Sequence, residues 1–192
     1  MDYWKINSKN MKNLLLVLCL ISVIGFINAQ EKFVTKTGTI NFEASVPSFE
    51  EVKATNNNVS AILTDNGTIV SLALVKGFRF KVALMEEHFN ENYAESSEFP
   101  KTTLKGKITD FNLDDLSEDE KPYTISGVIT LHGVEKQVAV PASIKIVDGE
   151  IYISSNFILK PEDFEIEIPS IVSSKIAEEI TISVNFILKS KS

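Results

Sequence analysis

Period-two alternation of apolar and polar residues runs through the chain beyond residue 30 and constrains its fold more than any other feature. It is clearest in the segments 138–146, 151–159 and 180–188, where every second residue is apolar except Ser155. Such alternation is typical of strands that turn one face to a core and the other to solvent. Several such strands at close spacing predict an all-β fold, either an antiparallel barrel or a sandwich.

Short turn motifs separate these strands. Asp65 to Gly67 reads "DNG" and residues 148–149 read "DG", both typical of tight hairpins because Asn, Asp and Gly tolerate a positive φ. His132 and Gly133 lie between two alternating segments, "ITL" and "VEKQVAV". We interpret this pair as a third strand-to-strand corner.

One segment departs from the alternation. Between residues 82 and 93, Val82, Met85, Phe89 and Tyr93 recur every three or four positions. This spacing predicts an amphipathic helix of about three turns. Such a helix would cap one end of a barrel or pack on its side, and its apolar stripe is more typical of core packing than of a binding site.

Residues 1–29 predict a signal peptide. Three lysines precede the apolar stretch 14–27, and the small residue Ala29 follows it at a plausible cleavage point. The stretch is shorter than the roughly 20 residues that cross a membrane as a helix. We therefore expect one exported domain, residues 30–192, in the periplasm or secreted. The single cysteine, Cys19, would leave with the leader.

The charge of the chain excludes some partners. The formal net charge is -7. Because the leader carries three lysines against one aspartate, the remainder has about -9. A strongly acidic surface repels phosphate backbones, so neither nucleic acid nor an anionic membrane surface is an expected partner.

The sequence shows no pattern of catalytic or metal-binding residues. The two histidines, His88 and His132, are 44 positions apart and fit no metal-ligand spacing. No serine lies in a nucleophile motif, and no glycine-rich phosphate loop is present. The neighbouring carboxylates Glu86 and Glu87 are more typical of a solvated edge than of an acid/base pair. We expect no catalytic residue, no metal and no cofactor.

The segment 69–75 is apolar on both faces. Val70, Leu72 and Leu74 would share one face, and Ile69, Ala73 and Val75 the other. One face would line a barrel interior and the other would pack beneath a helix. Eight-stranded barrels either fill their lumen with side chains or hold one small ligand. Periodicity alone leaves both alternatives open.

Four blocks of sequence, in order, resemble the YceI-like family of exported lipid-binding proteins. They are "KTGTINFEA", "ALMEEHFNENYAESSEFPKTTLKGKI", "GVITLHGVEKQVAVPASI" and "DFEIEIPSIVSSKIAEEITISVNF". The resemblance covers the chain from about Phe33 to Leu188. It departs from the family where Lys160 and Glu165 stand at a basic and a glycine position, and where Lys36 and Thr37 replace an opening histidine motif.

The resemblance implies an eight-stranded antiparallel barrel similar to a lipocalin, with a long apolar cavity that holds a polyisoprenoid or another long-chain lipid. It also makes His132 a corner residue whose ring bonds locally, and His88 a structural residue. Combined with the alternation, it gives candidate lumen residues: Phe42, Leu72, Leu74, Phe89, Leu104, Ile108, Ile129, Val140, Ile153, Phe157, Ile182, Val184 and Phe186.

The sequence therefore favours a non-enzymatic carrier or store for an apolar chain. Two alternatives remain open at this stage. One is an interaction module with a filled core that binds a protein partner. The other is a lipid-modifying enzyme with His88 or His132 as general base. The sequence also leaves open whether the chain forms a homodimer.

Overall fold

The computed structural model describes residues 30–191. The signal peptide predicted for residues 1–29 lies outside the described residues. Nine strands occur in the described part: β1 Lys32–Ser45, β2 Lys53–Thr64, β3 Thr68–Leu74, β4 Arg79–Phe80, β5 Lys101–Ile108, β6 Lys121–Leu131, β7 Val134–Val147, β8 Glu150–Leu159 and β9 Ile176–Lys191.

Eight long antiparallel strands form one closed barrel. Around the barrel the order is β1, β9, β8, β7, β6, β5, β3 and β2, and β1 also pairs with β2. The two-residue strand β4 lies beside the start of β2, where Phe80 is paired with Ala54. The eight-stranded antiparallel barrel predicted from the sequence is confirmed.

Strand β1 bends around the barrel and contacts both of its neighbours. Its pairing with β2 shifts on either side of Gly38, as expected for β-bulges that curve a strand. A Cβ atom at Gly38 would lie only 2.5 Å from the ring of Phe186 on β9. Glycine at this position therefore allows the Phe186 ring to contact the backbone of β1 closely.

The predicted helix is present between β4 and β5. Helix α1 spans Ala83–His88 and continues as a wider π-turn over Phe89–Tyr93. The Ala94 amide closes the turn on the Phe89 carbonyl at 2.8 Å, and the Asn90 side-chain amide donates to the Glu86 carbonyl at 2.8 Å. Shorter helical segments are α2, Ser170–Ser173, and the 3-10 turns Val75–Gly77, Leu113–Asp115 and Pro161–Phe164.

Large apolar side chains fill one end of the barrel, which we call the closed end. Strand polarity places the hairpin 65–67, the loop 109–120 and the turn 148–149 at this end. Its buried residues are Phe33, Leu63, Ile108, Ile144, Ile151 and Leu188, all at most 3 % exposed. Tyr123 packs beside Phe111 here, and burial together with the Asp115 carboxylate raises the pKa of its hydroxyl.

The opposite end, which we call the mouth, carries the other four connections. They are the loop 46–52, the segment 75–100 with α1, the turn 132–133 and the segment 160–175. Within residues 30–191, no helix combines the length and apolar character that crossing a membrane requires.

The sequence-predicted corners are confirmed. His132 and Gly133 have φ of 51° and 75°, and Leu131 pairs directly with Val134 across them. Asp148 and Gly149 form the equivalent turn between β7 and β8. Two successive positive φ values give the turn whose twist matches that of antiparallel strands.

Candidate ligand-binding cavity

The barrel contains a cavity of about 510 Å³ that opens at the mouth. This volume lies within the range of roughly 300–1,000 Å³ that is typical of small-molecule sites. Its walls are side chains from the strands, and its rim consists of residues from the loop 46–52, α1 and the segment 160–175.

Small side chains at inward positions leave this space empty. Ala44, Ser71, Ala73 and Ser155 line the cavity and are all buried within the wall. At the closed end most of the corresponding inward positions are Ile, Leu or Phe. Where small residues face inward, no side chain fills the lumen. The positions of these small residues in the sequence indicate an empty lumen, but only once the register of each strand is known.

Ten of the thirteen candidate lumen residues line the cavity. They are Phe42, Phe89, Leu104, Ile129, Val140, Ile153, Phe157, Ile182, Val184 and Phe186. Ile108 also points inward but belongs to the filled core of the closed end, where it is 1 % exposed. The alternation of apolar and polar residues predicts which face of a strand a residue occupies, but not how far along the barrel axis it lies.

The assignment of Leu72 and Leu74 to the lumen is wrong. Ser71 pairs with Ala61 on β2 and with Leu104 on β5, both of which face inward, so Ser71 faces inward too. Leu72 does not line the cavity, and Leu74 is 52 % exposed. A shift of one residue in register reverses every side chain of a strand.

Four phenylalanines form a cluster at the mouth and hold α1 on the barrel. Phe89, in the π-turn, lies 5.3 Å from Phe42, 5.9 Å from Phe78 and 5.2 Å from Phe80, measured between ring centroids. All four rings line the cavity. Phe78 and Phe80 were not among the sequence candidates, although "KGFRF" places them two residues apart on one strand face.

Replacing Phe89 with leucine is expected to lower the free energy of unfolding by about 1 kcal/mol, because aromatic pairs contribute about 0.5–1.5 kcal/mol beyond their buried area. Chemical denaturation measures this change. Leu84→Ala is the matched control on the same helix, since Leu84 is 57 % exposed. Equal stabilities of the Phe89 variant and the unmodified protein would contradict a role for the cluster in holding α1.

The segment 160–175 forms one wall of the mouth. Phe164, Ile166 and Ile168 line the cavity, and Glu165 and Glu167 between them are exposed. Glu165 stands at the family's glycine position and has a φ of 56°, in the left-handed region where glycine is favoured. The backbone thus keeps a conformation suited to glycine in spite of the substitution.

His132 joins this segment to two other parts of the mouth. Its Nδ1 lies 3.0 Å from the Phe164 carbonyl oxygen and its Nε2 lies 2.8 Å from a Glu95 carboxylate oxygen. Its ring also packs on Phe99, with centroids 4.4 Å apart. The corner at His132 was predicted correctly, but the expectation that its ring bonds locally is wrong, because both partners are more than 30 residues away.

Both partners of His132 are hydrogen-bond acceptors, and each of its ring nitrogens is engaged by one of them. An ion pair between Lys136 Nζ and Asp163 Oδ1, 3.2 Å apart, fastens the same segment to β7. We refer to the contacts of His132 with Phe164 and Glu95 as the mouth clasp.

A match to a known family covers most of the chain, including the whole barrel as far as Leu188. The YceI-like domain matches residues 22–188. The chain belongs to the YceI-like domain family.

Several solved structures share this fold. A polyisoprenoid binding domain from Saccharophagus degradans, implicated in plant cell wall breakdown, superposes with a TM-score of 0.73 at 12 % identity, over 83 % of this chain and 98 % of that one. For Burkholderia cenocepacia BcnA the TM-score is 0.65 at 14 % identity, with 79 % and 95 % covered. A Campylobacter jejuni YceI protein gives 0.58 at 16 % identity, with 77 % and 89 % covered. No curated protein matches the chain in sequence.

The polar groups of this YceI-like cavity fall into two sets. In the wall, Ser155 donates to the Pro141 carbonyl at 2.6 Å and Thr102 to the Thr130 carbonyl at 3.0 Å, so both hydroxyls are engaged within the barrel. At the mouth, the polar lining residues are Glu50, His88, Tyr93, Lys160 and Lys175. Among residues 30–191, no three His, Cys, Asp or Glu side chains converge where a metal ion could bind.

Proposed function

We propose that this YceI-like protein is an exported, non-enzymatic carrier or store for a polyisoprenoid or similar long-chain lipid. The observation that carries the proposal is the apolar cavity of about 510 Å³, filled by side chains at one end and open at the other. A single apolar chain that enters at the mouth would be shielded from water along its length.

Burial of the chain would drive binding. A chain of on the order of 20 carbons nominally gains about 16 kcal/mol on burial, at about 0.8 kcal/mol per methylene. Loss of chain freedom offsets much of this, and the remainder still supports tight binding.

Two further observations support a lipid carrier over the alternatives. An interaction module with a filled core needs a packed lumen, and small inward residues leave this lumen empty. Of the two candidate general bases, His132 has no free ring nitrogen, since the mouth clasp engages both. The Saccharophagus degradans domain, which shares the fold, is a polyisoprenoid binding domain.

Native mass spectrometry of the protein expressed with its leader and recovered after export tests the proposal. We expect a mature chain that begins near residue 30, with a bound species that organic extraction releases as a lipid with isoprene spacing. The same spectrum gives the oligomeric state. If the protein is recovered empty and binds neither prenols nor prenyl quinones on addition, the carrier proposal is wrong.

A further inference from the structure

The mouth of the cavity is rich in hydrogen-bond donors. Lys160 begins the segment 160–175 and Lys175 ends it, while His88 and Tyr93 are contributed by α1 and its π-turn. All four side chains line the cavity. Two separate elements of the mouth therefore present ammonium, imidazole and phenol groups to whatever occupies the opening.

These donors are largely unused within residues 30–191. Lys160 Nζ lies 3.8 Å from the Glu179 carboxylate, longer than the roughly 2.7–2.9 Å of a charge-assisted hydrogen bond. In that part of the chain, the side chains of Lys175, His88 and Tyr93 make no hydrogen bond. The only carboxylate that lines the cavity there is Glu50, which is exposed on the loop 46–52.

The lumen below the mouth offers no place for a charge. Its wall is apolar apart from a few hydroxyls, of which Ser155 and Thr102 already donate to strand carbonyls. Burying an unpaired charge there would cost far more than the apolar contacts of its chain return. A ligand with a charged headgroup must therefore place its chain in the lumen and its headgroup at the mouth.

Resting on the proposed function, we infer that the ligand carries an anionic headgroup, a phosphate or a carboxylate, held at the mouth by Lys160 and Lys175. Both headgroups supply only acceptors when ionised, which matches the four donors. The acidic surface of the whole protein does not prevent this, because charges more than about 8 Å away are largely screened at physiological salt. The nearer pair of Lys160 with Glu179 is exposed on both sides and therefore weak, so an anionic headgroup can compete for the ammonium group.

Three ligands test the inference by titration calorimetry with delipidated protein: geranylgeranyl phosphate, geranylgeraniol and geranylgeranoate. They share a prenyl chain and carry a phosphate, a hydroxyl and a carboxylate, respectively. We expect the phosphate to bind at least about tenfold more tightly than the alcohol, the size of effect given by one charge-assisted hydrogen bond. Geranylgeranoate shows whether a carboxylate binds as a phosphate does.

The double variant Lys160→Gln/Lys175→Gln assigns the preference to these two residues. We expect the ratio of phosphate to alcohol affinity to fall below about threefold, because the headgroup loses both charge-assisted partners. Lys107→Gln/Lys189→Gln removes the same charge from exposed positions towards the closed end and should keep the full ratio. Circular dichroism verifies that both variants are folded.

Each result bears on a different claim. Equal affinities for the phosphate and the alcohol in the unmodified protein would overturn the headgroup inference and leave the carrier function standing. A preference that survives in the Lys160/Lys175 variant would overturn the assignment to these lysines. Failure of all three ligands to bind would overturn both the inference and the proposed function.

Discussion

Replacement of Ser71 with phenylalanine is expected to weaken binding of a geranylgeranyl chain roughly fiftyfold. Ser71 lines the cavity in the wall of the barrel and is 6 % exposed, so the new ring has only the lumen to enter. If the ring displaces about three methylene groups, the lost burial is about 2.4 kcal/mol, which corresponds to that loss of affinity. Titration calorimetry with geranylgeraniol, which has no charged headgroup, measures this change.

The adjacent residue provides the control. Leu72→Phe introduces the same ring one position further along β3, on the outer face of the barrel. We expect its affinity for geranylgeraniol to stay within about twofold of the unmodified protein, because surface changes away from a site usually cost under about 0.5 kcal/mol. Opposite outcomes from neighbouring residues would be a direct readout of the strand register.

A second variant separates blockage of the cavity from loss of the fold. Ala73→Phe, on the same inward face of β3, narrows the lumen nearer the mouth. Thermal unfolding verifies that each variant is folded before binding is measured. Full affinity in a folded Ser71→Phe or Ala73→Phe protein would rule out the lumen as the binding site. If Leu72→Phe were the only variant with weakened binding, the orientation assigned to β3 would be wrong.

The sequence predicted most of the barrel because most strands carry a one-sided pattern. In the segments 151–159 and 180–188 most apolar residues occupy one face, and the structure turns that face inward. Strand β3 was assigned wrongly because both of its faces are apolar. The larger side chains, Leu72 and Leu74, face outward, and the smaller Ser71 and Ala73 face inward. Near the mouth, the inward residues of β3 are the small ones, because larger side chains at these positions would fill the lumen.

The mouth was less predictable than the wall. The part played by Phe164 and Ile166 depends on how the segment 160–175 folds back over the opening, which no local pattern specifies. The His132 corner followed from its neighbour Gly133 and from the flanking strands. The two long-range hydrogen bonds of the His132 ring could not be predicted in this way, because they depend on where residues 95 and 164 lie after folding.

The corner and the clasp of His132 can be separated by one substitution. Asn-Gly is the preferred pair for a two-residue hairpin with two positive φ values. His132→Asn should therefore keep the turn between β6 and β7 and remove the bonds to Phe164 and Glu95. Hydrogen bonds to charged groups contribute about 1.5–3 kcal/mol, and Glu95 is half exposed, so we expect a loss of about 2 kcal/mol in unfolding free energy.

Thermal and urea unfolding measure this loss. For a domain of this size, about 2 kcal/mol corresponds to a fall in Tm of roughly 4–8 °C. The matched control is His88→Asn, since His88 is exposed on α1 and its side chain makes no hydrogen bond within residues 30–191. Glu95→Gln keeps an acceptor but removes its charge, so its stability should fall between those of the unmodified protein and His132→Asn.

The clasp also bears on ligand exchange, because Phe164 is both its anchor and part of the cavity wall. Without the bond from His132, the segment 160–175 keeps its tie to β7 through Lys136 and Asp163 but loses its tie to the corner. We therefore expect bound geranylgeraniol to dissociate faster from His132→Asn than from the unmodified protein in a stopped-flow displacement experiment. A variant as stable as the unmodified protein, with an unchanged dissociation rate, would show that the clasp contributes neither to the fold nor to closure of the mouth.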